Sequence, residues 1–321
     1  MISHRPRRLR QSESIRALAK ELKIEASQFI LPIFIAEGKS VEKSHPLLPS
    51  CKTFSADKVL GYALEARDLG IKSLLLFGTS TKKDAKGSEA LNSSSALHKS
   101  ISMIREKVPE MIIMTDIALD PYTDHGHDGL FEKGKILNDQ TLEVLCEMAV
   151  SHAKAGAHFV APSDMMDGRI GAIRSSLDQS GFEDCAILAY TAKYASAFYG
   201  PFRDTLGAKV VGDKKTYQMD HRNRREAIRE LELDLQEGAD IVMVKPAAHF
   251  LDIISDFRNV CNTPIAAYHV SGECALLELG AKNQLFDRNQ AILEVTHSIF
   301  RAGADIVATY FALELAQLLR K

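Results

Sequence analysis

The sequence predicts an α/β fold, a closed (β/α)8 barrel with an N-terminal extended arm. Three observations carry that expectation. Eight short runs rich in Ile, Val, Leu and Phe recur along the 321 residues without polar alternation, as strands buried on both faces do. Helical patterns separate most of them. Three helix exits share one form: Ala155-Gly156-Ala157-His158, Glu237-Gly238-Ala239-Asp240 and Ala302-Gly303-Ala304-Asp305. Each stops a helix at Gly and drops straight into a strand, the hinge that a parallel sheet with short return loops requires.

The predicted strands span 29–35, 73–77, 111–117, 158–161, 186–190, 241–244, 264–270 and 306–309. A helix over 56–69 follows Ser55, a good N-cap, and stops at Gly70. A second, over 141–155, carries Leu142, Leu145, Ala149 and Val150 on one face. Helices over 222–236 and 289–302 end at Gly238 and Gly303. An open doubly wound sheet is the alternative, but strand one leads into Ala36-Glu37-Gly38-Lys39, which is no G-x-G-x-x-G phosphate loop. With no linker and no composition shift, residues 1–27 read as an arm for subunit contacts and 28–321 as one catalytic barrel.

Composition removes whole classes of function. Forty basic side chains stand against 42 acidic ones, a net charge of −2. Nucleic acid and anionic membrane both call for a basic excess, so neither is the expected partner. No apolar run approaches the ~20 residues of a membrane span. Five scattered cysteines, Cys51, Cys146, Cys185, Cys261 and Cys274, never form a C-x-x-C pair. That is the usage of reduced thiols, and the expected location is cytoplasmic. Arg5, Arg7, Arg8 and Arg10 resemble the start of a transit peptide, yet Glu13, Glu21 and Glu25 follow closely, which favours an arm docking on a partner subunit.

Barrel enzymes carry their reactive groups at the C-terminal ends of strands. Strand five ends in Thr191-Ala192-Lys193 and strand six in Lys245-Pro246, so neighbouring strands deliver a lysine each to one mouth. Two adjacent ammonium groups raise each other's cost of staying charged. One is then expected neutral near pH 7 and able to form a Schiff base with a ketone. A phosphate or carboxylate clamp, or two separate ion pairs, is the plainer alternative. Arg203, Lys214 and Gln218 lie on the excursion after strand five, where a substrate carboxylate can be gripped. Strand three ends in a stretch holding Asp116, Asp120, Asp124 and Asp128 with His125 and His127. Such an oxygen-rich loop suits a hard cation such as Mg²⁺, or ammonium groups, better than zinc. Ser163 and Asp164 after strand four, Ser271 after strand seven and Tyr310 after strand eight add polar groups to the same rim.

Taken together, these residues resemble the 5-aminolevulinate dehydratase (porphobilinogen synthase) family nearly end to end. The resemblance rests on Arg5-Pro-Arg-Arg-Leu-Arg10, Leu31-Pro-Ile-Phe34, Asp116-Ile-Ala-Leu-Asp-Pro-Tyr122 and Ala161-Pro-Ser-Asp-Met-Met-Asp-Gly-Arg169. Tyr199-Gly-Pro-Phe-Arg-Asp204, Tyr217-Gln-Met-Asp220, Met243-Val-Lys-Pro-Ala247 and Tyr268-His-Val-Ser-Gly-Glu273 complete it. It implies a lyase that condenses two 5-aminolevulinate molecules to porphobilinogen with loss of two waters, in tetrapyrrole (haem) biosynthesis. It further implies that Lys245 forms the essential Schiff base while Lys193 binds the other substrate or acts as its base. Arg203, Lys214 and Gln218 would hold one substrate carboxylate, and Ser271 and Tyr310 the other, with Asp116 and Ser163 also at the substrate.

Zinc-dependent relatives carry cysteines where this chain has Ala118, Asp120 and Asp128. The resemblance is therefore to the aspartate-rich, magnesium-responsive branch, with a regulatory Mg²⁺ at Glu230, no catalytic zinc and no organic cofactor. Whether Asp116, Asp120 and Asp128 hold a cation stays open. A homo-octamer is implied, its arm embracing a neighbour through Arg7, Arg8 and Arg10. Leu48-Pro49-Ser50-Cys51 and Cys274 depart from the family pattern. A general class I Schiff-base aldolase on the same barrel, or a non-catalytic assembly subunit, are the rival expectations.

Overall fold

Eight parallel strands close into a barrel in the computed structural model, which describes residues 2–207 and 209–320. They are β1 (Phe29–Ile35), β2 (Ser73–Gly78), β3 (Ile112–Ile117), β4 (Phe159–Pro162), β5 (Ala186–Lys193), β6 (Ile241–Lys245), β7 (Ile265–His269) and β8 (Ile306–Thr309). Each pairs with the next, and β8 returns to β1 with Val307 opposite Phe29. Strands β1, β2, β6 and β7 are buried at every position. Helices cover one face and the packed barrel interior the other, which is why the sequence shows solid apolar runs.

The expected helices form as Ala56–Asp68, Asn138–Ala155, Arg225–Gln236 and Arg288–Ala302. Gly156 and Gly303 adopt φ of +113° and +123° at their ends, a backbone region that a side chain would strain. The helix expected from 222 starts at Arg225 because Asp220 Oδ1 accepts the Arg222 N–H, an Asx turn that competes with helix. Further helices, Ala96–Lys107, Arg169–Gln179, Leu251–Val260 and Ser271–Lys282, lack a legible start in the sequence. Ser95 caps Ala96–Lys107 and the Glu273 carboxylate caps Ser271–Lys282 by accepting the Val270 N–H at 3.0 Å, while the other two start without a side-chain cap.

An unforeseen hairpin, Glu42–His45 with Leu48–Phe54, contains the departing stretch 48–51. Its second strand runs parallel to the end of β1, Thr53 opposite Phe34. Strand β8 is too short to reach that far, so the hairpin covers the free edge. The arm residues form a 3₁₀ turn, Pro6–Arg10, and a helix, Glu13–Ala19, neither with a buried side chain. Leu18 there is 88% exposed.

One irregularity positions the site. Ala189 pairs with Val242, but Ala192 pairs with Val244, so β5 spends one residue more than β6 over this span. Strict alternation would put Tyr190 and Lys193 on opposite faces; the extra residue turns both into the barrel. The buried Arg169 guanidinium donates to the Tyr190 carbonyl at this bulge, at 3.2 Å, and pairs with buried Asp234 of the helix Arg225–Gln236 at 3.3 Å. The bulge is thereby fastened to the outer helical layer.

Candidate active site

Lys193 and Lys245 end β5 and β6 directly opposite each other in the ladder. Both are nearly buried, 5% and 4% exposed, and both line one small cavity with Asp120, Asp128, Ser163 and Arg203. Their surroundings differ sharply. Lys193 Nζ donates to the Ser163 carbonyl and lies 3.4 Å from Asp128 Oδ1. Lys245 Nζ has no carboxylate within ion-pair distance among the described residues. Four aromatic rings surround it instead: Tyr268 at 4.4 Å from the ring centroid, Tyr190 at 4.9 Å, Phe202 at 5.0 Å and Tyr199 at 5.3 Å.

Ring faces attract a cation by about 0.5–2 kcal/mol each at best. Burying an unpaired ammonium costs several kcal/mol, and the neighbouring Lys193 adds repulsion. Burial wins: it lowers the Lys245 pKa to about 7, with Lys193 as the second cause. Asp116 moves the other way, raised to about 7 by burial and then by the charge of Asp120, while the Ser163 hydroxyl bonds to it. Both groups are thus displaced toward their neutral forms.

The aspartate-rich loop meets ammonium groups. Lys214 Nζ lies 2.9 Å from Asp120 Oδ2 and 2.9 Å from Asp128 Oδ2. Asp128 lies well below the ordinary carboxylate range despite its burial, because Lys193 and Lys214 both face it. Of the two occupants the sequence allowed, a hard cation or ammonium, these contacts supply the second. Among the described residues no three His, Cys, Asp or Glu side chains converge as a metal site.

The other expected groups fall in two places. Arg203, Lys214 and Gln218 line both the lysine cavity and an outer cavity of about 610 Å³, so they stand at its entrance. Arg203 makes no ion pair among the described residues, and Gln218 Oε1 is buried without a partner. Ser271 and Tyr310 do not line the lysine cavity. Ser271 Oγ accepts the Phe202 N–H at 3.0 Å, and Tyr310 accepts the Tyr268 hydroxyl at 3.3 Å. Both hydroxyls keep their own proton to donate, one layer behind the rings that surround Lys245. Ser163 reaches Lys193 through its carbonyl rather than its hydroxyl.

Glu230 lines a third cavity of about 820 Å³ that shares Gln218 with the other two and also holds Asp167, Asp220 and Glu226. Cys274 is buried against His269, its Sγ 3.4 Å from Nδ1. Cys51 faces Thr205 at 3.8 Å, and burial pushes its thiol up to about 12. Sequence reasoning missed the aromatic cage. Tyr199 and Phe202 belong to a visibly aromatic loop, but the inward aim of Tyr190 depends on the bulge, which leaves no mark in composition.

Residues 3–318 match the profile of the family described as Delta-aminolevulinic acid dehydratase. A relative of that name from Synechococcus elongatus is 46% identical over 322 residues, covering 99% of each chain. Another from Streptomyces coelicolor is 47% identical, covering 98% of this chain and 97% of the relative. Among solved structures, the delta-aminolevulinic acid dehydratase (porphobilinogen synthase) of Toxoplasma gondii ME49, in complex with the reaction product porphobilinogen, superposes with a TM-score of 0.96. It is 44% identical, and the match covers 99% of this chain and 92% of that one.

If Lys193 depresses the Lys245 pKa, Lys193→Met will move the pH midpoint for borohydride trapping of a simple keto acid on Lys245 to higher pH. Mapping the trapped peptide across pH 6–10 measures this. An unmoved midpoint contradicts the coupling.

Proposed function

The chain belongs to the delta-aminolevulinic acid dehydratase family, and from that premise we propose a division of labour among its residues. The reaction is that of a lyase of tetrapyrrole biosynthesis: two 5-aminolevulinate molecules condense to porphobilinogen, and two waters leave. One observation carries the residue assignments: two lysines in one ladder position, of which, among the described residues, only Lys193 has a carboxylate partner.

Lys245 supplies the nucleophile. Its amine is neutral above about pH 7 and protonated below. The neutral form attacks the ketone carbon of one substrate, the ketone oxygen leaves as water, and a C=N bond to Lys245 remains. The four rings then favour the iminium, a large and weakly hydrated cation. The same cation acidifies the adjacent C–H and opens the way to an enamine nucleophile. Lys193, oriented by Asp128 and the Ser163 carbonyl, binds the second ketone by donating a hydrogen bond to its oxygen, which leaves as the second water. Transfer of the second substrate's amine releases Lys245. Arg203, Lys214 and Gln218 grip one carboxylate, while Ser271 and Tyr310 donate to the other. Asp116 and Ser163 complete the polar wall. Holding two identical molecules in different orientations removes a bimolecular entropy cost, up to ~7–11 kcal/mol in well-aligned cases. An aldolase reading employs one lysine and leaves the second without a task.

The family is metal-dependent in general. The active-site aspartates do not fit a resident cation, since Lys214 bridges Asp120 and Asp128. Glu230 does fit a regulatory Mg²⁺. Burial raises its pKa, the Arg169 charge lowers it, and Asp234, Asp167 and Glu226 raise it again, so three carboxylates against one guanidinium face the position where we place the ion. Magnesium keeps several waters and needs only one or two carboxylates. The exposed arm, with Arg7, Arg8 and Arg10 free of buried contacts, suits docking on a neighbour in a homo-octamer. No helix among the described residues is long and apolar enough to cross a membrane, and we place the enzyme in the cytoplasm.

Lys245→Ala is expected to abolish pyrrole formation, followed by colour with p-dimethylaminobenzaldehyde, and borohydride with 5-aminolevulinate to label the Lys245 peptide of the unaltered enzyme. Labelling of a different lysine alone, or none, overturns the assignment. Activity and native mass followed together across a Mg²⁺ titration are expected to rise in parallel; a response that survives Glu230→Gln contradicts the placement of the ion.

A further inference from the structure

Two histidines of the aspartate-rich loop are buried, yet the chemistry above leaves them without a role. His127 is 3% exposed and His125 7%. His127 Nε2 lies 2.9 Å from the Val211 carbonyl, and Nδ1 lies 3.1 Å from the Tyr217 hydroxyl. A carbonyl only accepts, so this network assigns the proton to Nε2 and leaves Nδ1 an acceptor for the Tyr217 hydroxyl, which the Asp128 carboxylate also faces. The ring is stacked on Phe131 at 4.7 Å, which fixes its plane. Main-chain contacts reinforce the same seam. The Val211 N–H donates to the His125 carbonyl at 3.0 Å, and the Asp128 N–H to the Tyr217 oxygen at 3.3 Å. Between the histidines, Gly126 has φ +73°, and a Cβ there would meet the Lys209 carbonyl oxygen at 2.7 Å. The loop and the segment after residue 208 lie backbone to backbone.

That segment needs holding. From Lys209 to Arg224 it forms no helix or strand beyond an isolated bridge between Met219 and Tyr194. Irregular stretches of such length in a packed domain tend to serve function. It carries Lys214 and Gln218 to the entrance of the lysine cavity; Val211 and Tyr217 are pinned on either side of Lys214, and Gln218 follows Tyr217 directly, its N–H donating to the Lys214 carbonyl at 2.9 Å. We propose that His127 is a positioning residue, a two-ended latch that holds residues 211–218 over the site so that Lys214 and Gln218 meet a substrate carboxylate. The proposal rests on the function given above for Lys214 and Gln218, and deepens it.

The latch and that function are separable by experiment. His127→Phe keeps the ring stack and removes both hydrogen bonds; Tyr217→Phe removes a single hydroxyl. Each is expected to raise KM for 5-aminolevulinate about tenfold, the scale of one or two net hydrogen bonds, with kcat changed less than threefold. Borohydride trapping at Lys245 is expected to stay stoichiometric, because Lys245 is held by β6 and its rings. Limited proteolysis is expected to cut within 209–218 several times faster in both variants. His127→Gln, which can still donate to the Val211 carbonyl, is expected to recover part of the KM. Unaltered KM and cleavage rate overturn the latch. So does a parallel loss of trapping, kcat and thermal stability, which marks a merely structural role. If the unaltered enzyme fails to trap 5-aminolevulinate, the substrate assignment falls instead, and the cleavage rates of the two variants alone decide the latch.

Discussion

The site depends on one asymmetry. Strand spacing in a sheet, about 4.8 Å, sets the distance between the backbones of two residues paired in register. Placing a lysine at both paired positions, at the inner end of a barrel, forces two amines into one low-dielectric space. The fold then provides a carboxylate for one of them. Lys193 faces Asp128, whereas Lys245 faces Tyr190, Tyr199, Phe202 and Tyr268. The uneven supply leaves one amine paired and displaces the other toward its neutral form, through burial first and then through Lys193.

Several features of the fold exist to maintain that arrangement. The bulge in β5 aims Lys193 inward together with Tyr190, and Arg169 satisfies the carbonyl that the bulge displaces. Phe202 packs on Phe34 and Phe77 at 5.3 and 5.2 Å, so the ring above Lys245 is itself carried by β1 and β2. The Ser271 hydroxyl accepts from the Phe202 peptide N–H, tying the same ring to the end of β7. Gly272 allows this approach, since a Cβ there would meet the Phe198 carbonyl oxygen at 2.4 Å.

Much of the fold was legible in the sequence because burial on both faces writes a dense apolar code. All eight strands were placed, and the two ends of 29–35 and 306–309 match the observed β1 and β8. The hairpin 42–54 escaped because its first strand is exposed and polar and its second is buried only at Leu48, Cys51 and Phe54, with its pairing supplied by the end of β1. Helices that begin without a side-chain cap, such as Leu251–Val260, gave no local start signal. At the site, strand ends identified Lys193 and Lys245, because barrel topology leaves few choices. Their difference was not legible: it depends on Asp128 returning from a loop 65 residues away to reach Lys193 rather than Lys245. Similarly, Lys214 appeared in sequence as a substrate grip, while in three dimensions it first bridges Asp120 and Asp128.

The central claim is that the Lys245 amine is neutral near physiological pH in the unliganded protein. Its most direct test is a ¹³C NMR titration of protein labelled at lysine Cε, with the Lys245 resonance identified by its loss in Lys245→Arg. The account predicts a midpoint near 7 for that signal. A Lys245 midpoint near the ordinary lysine value of about 10.4 would contradict it.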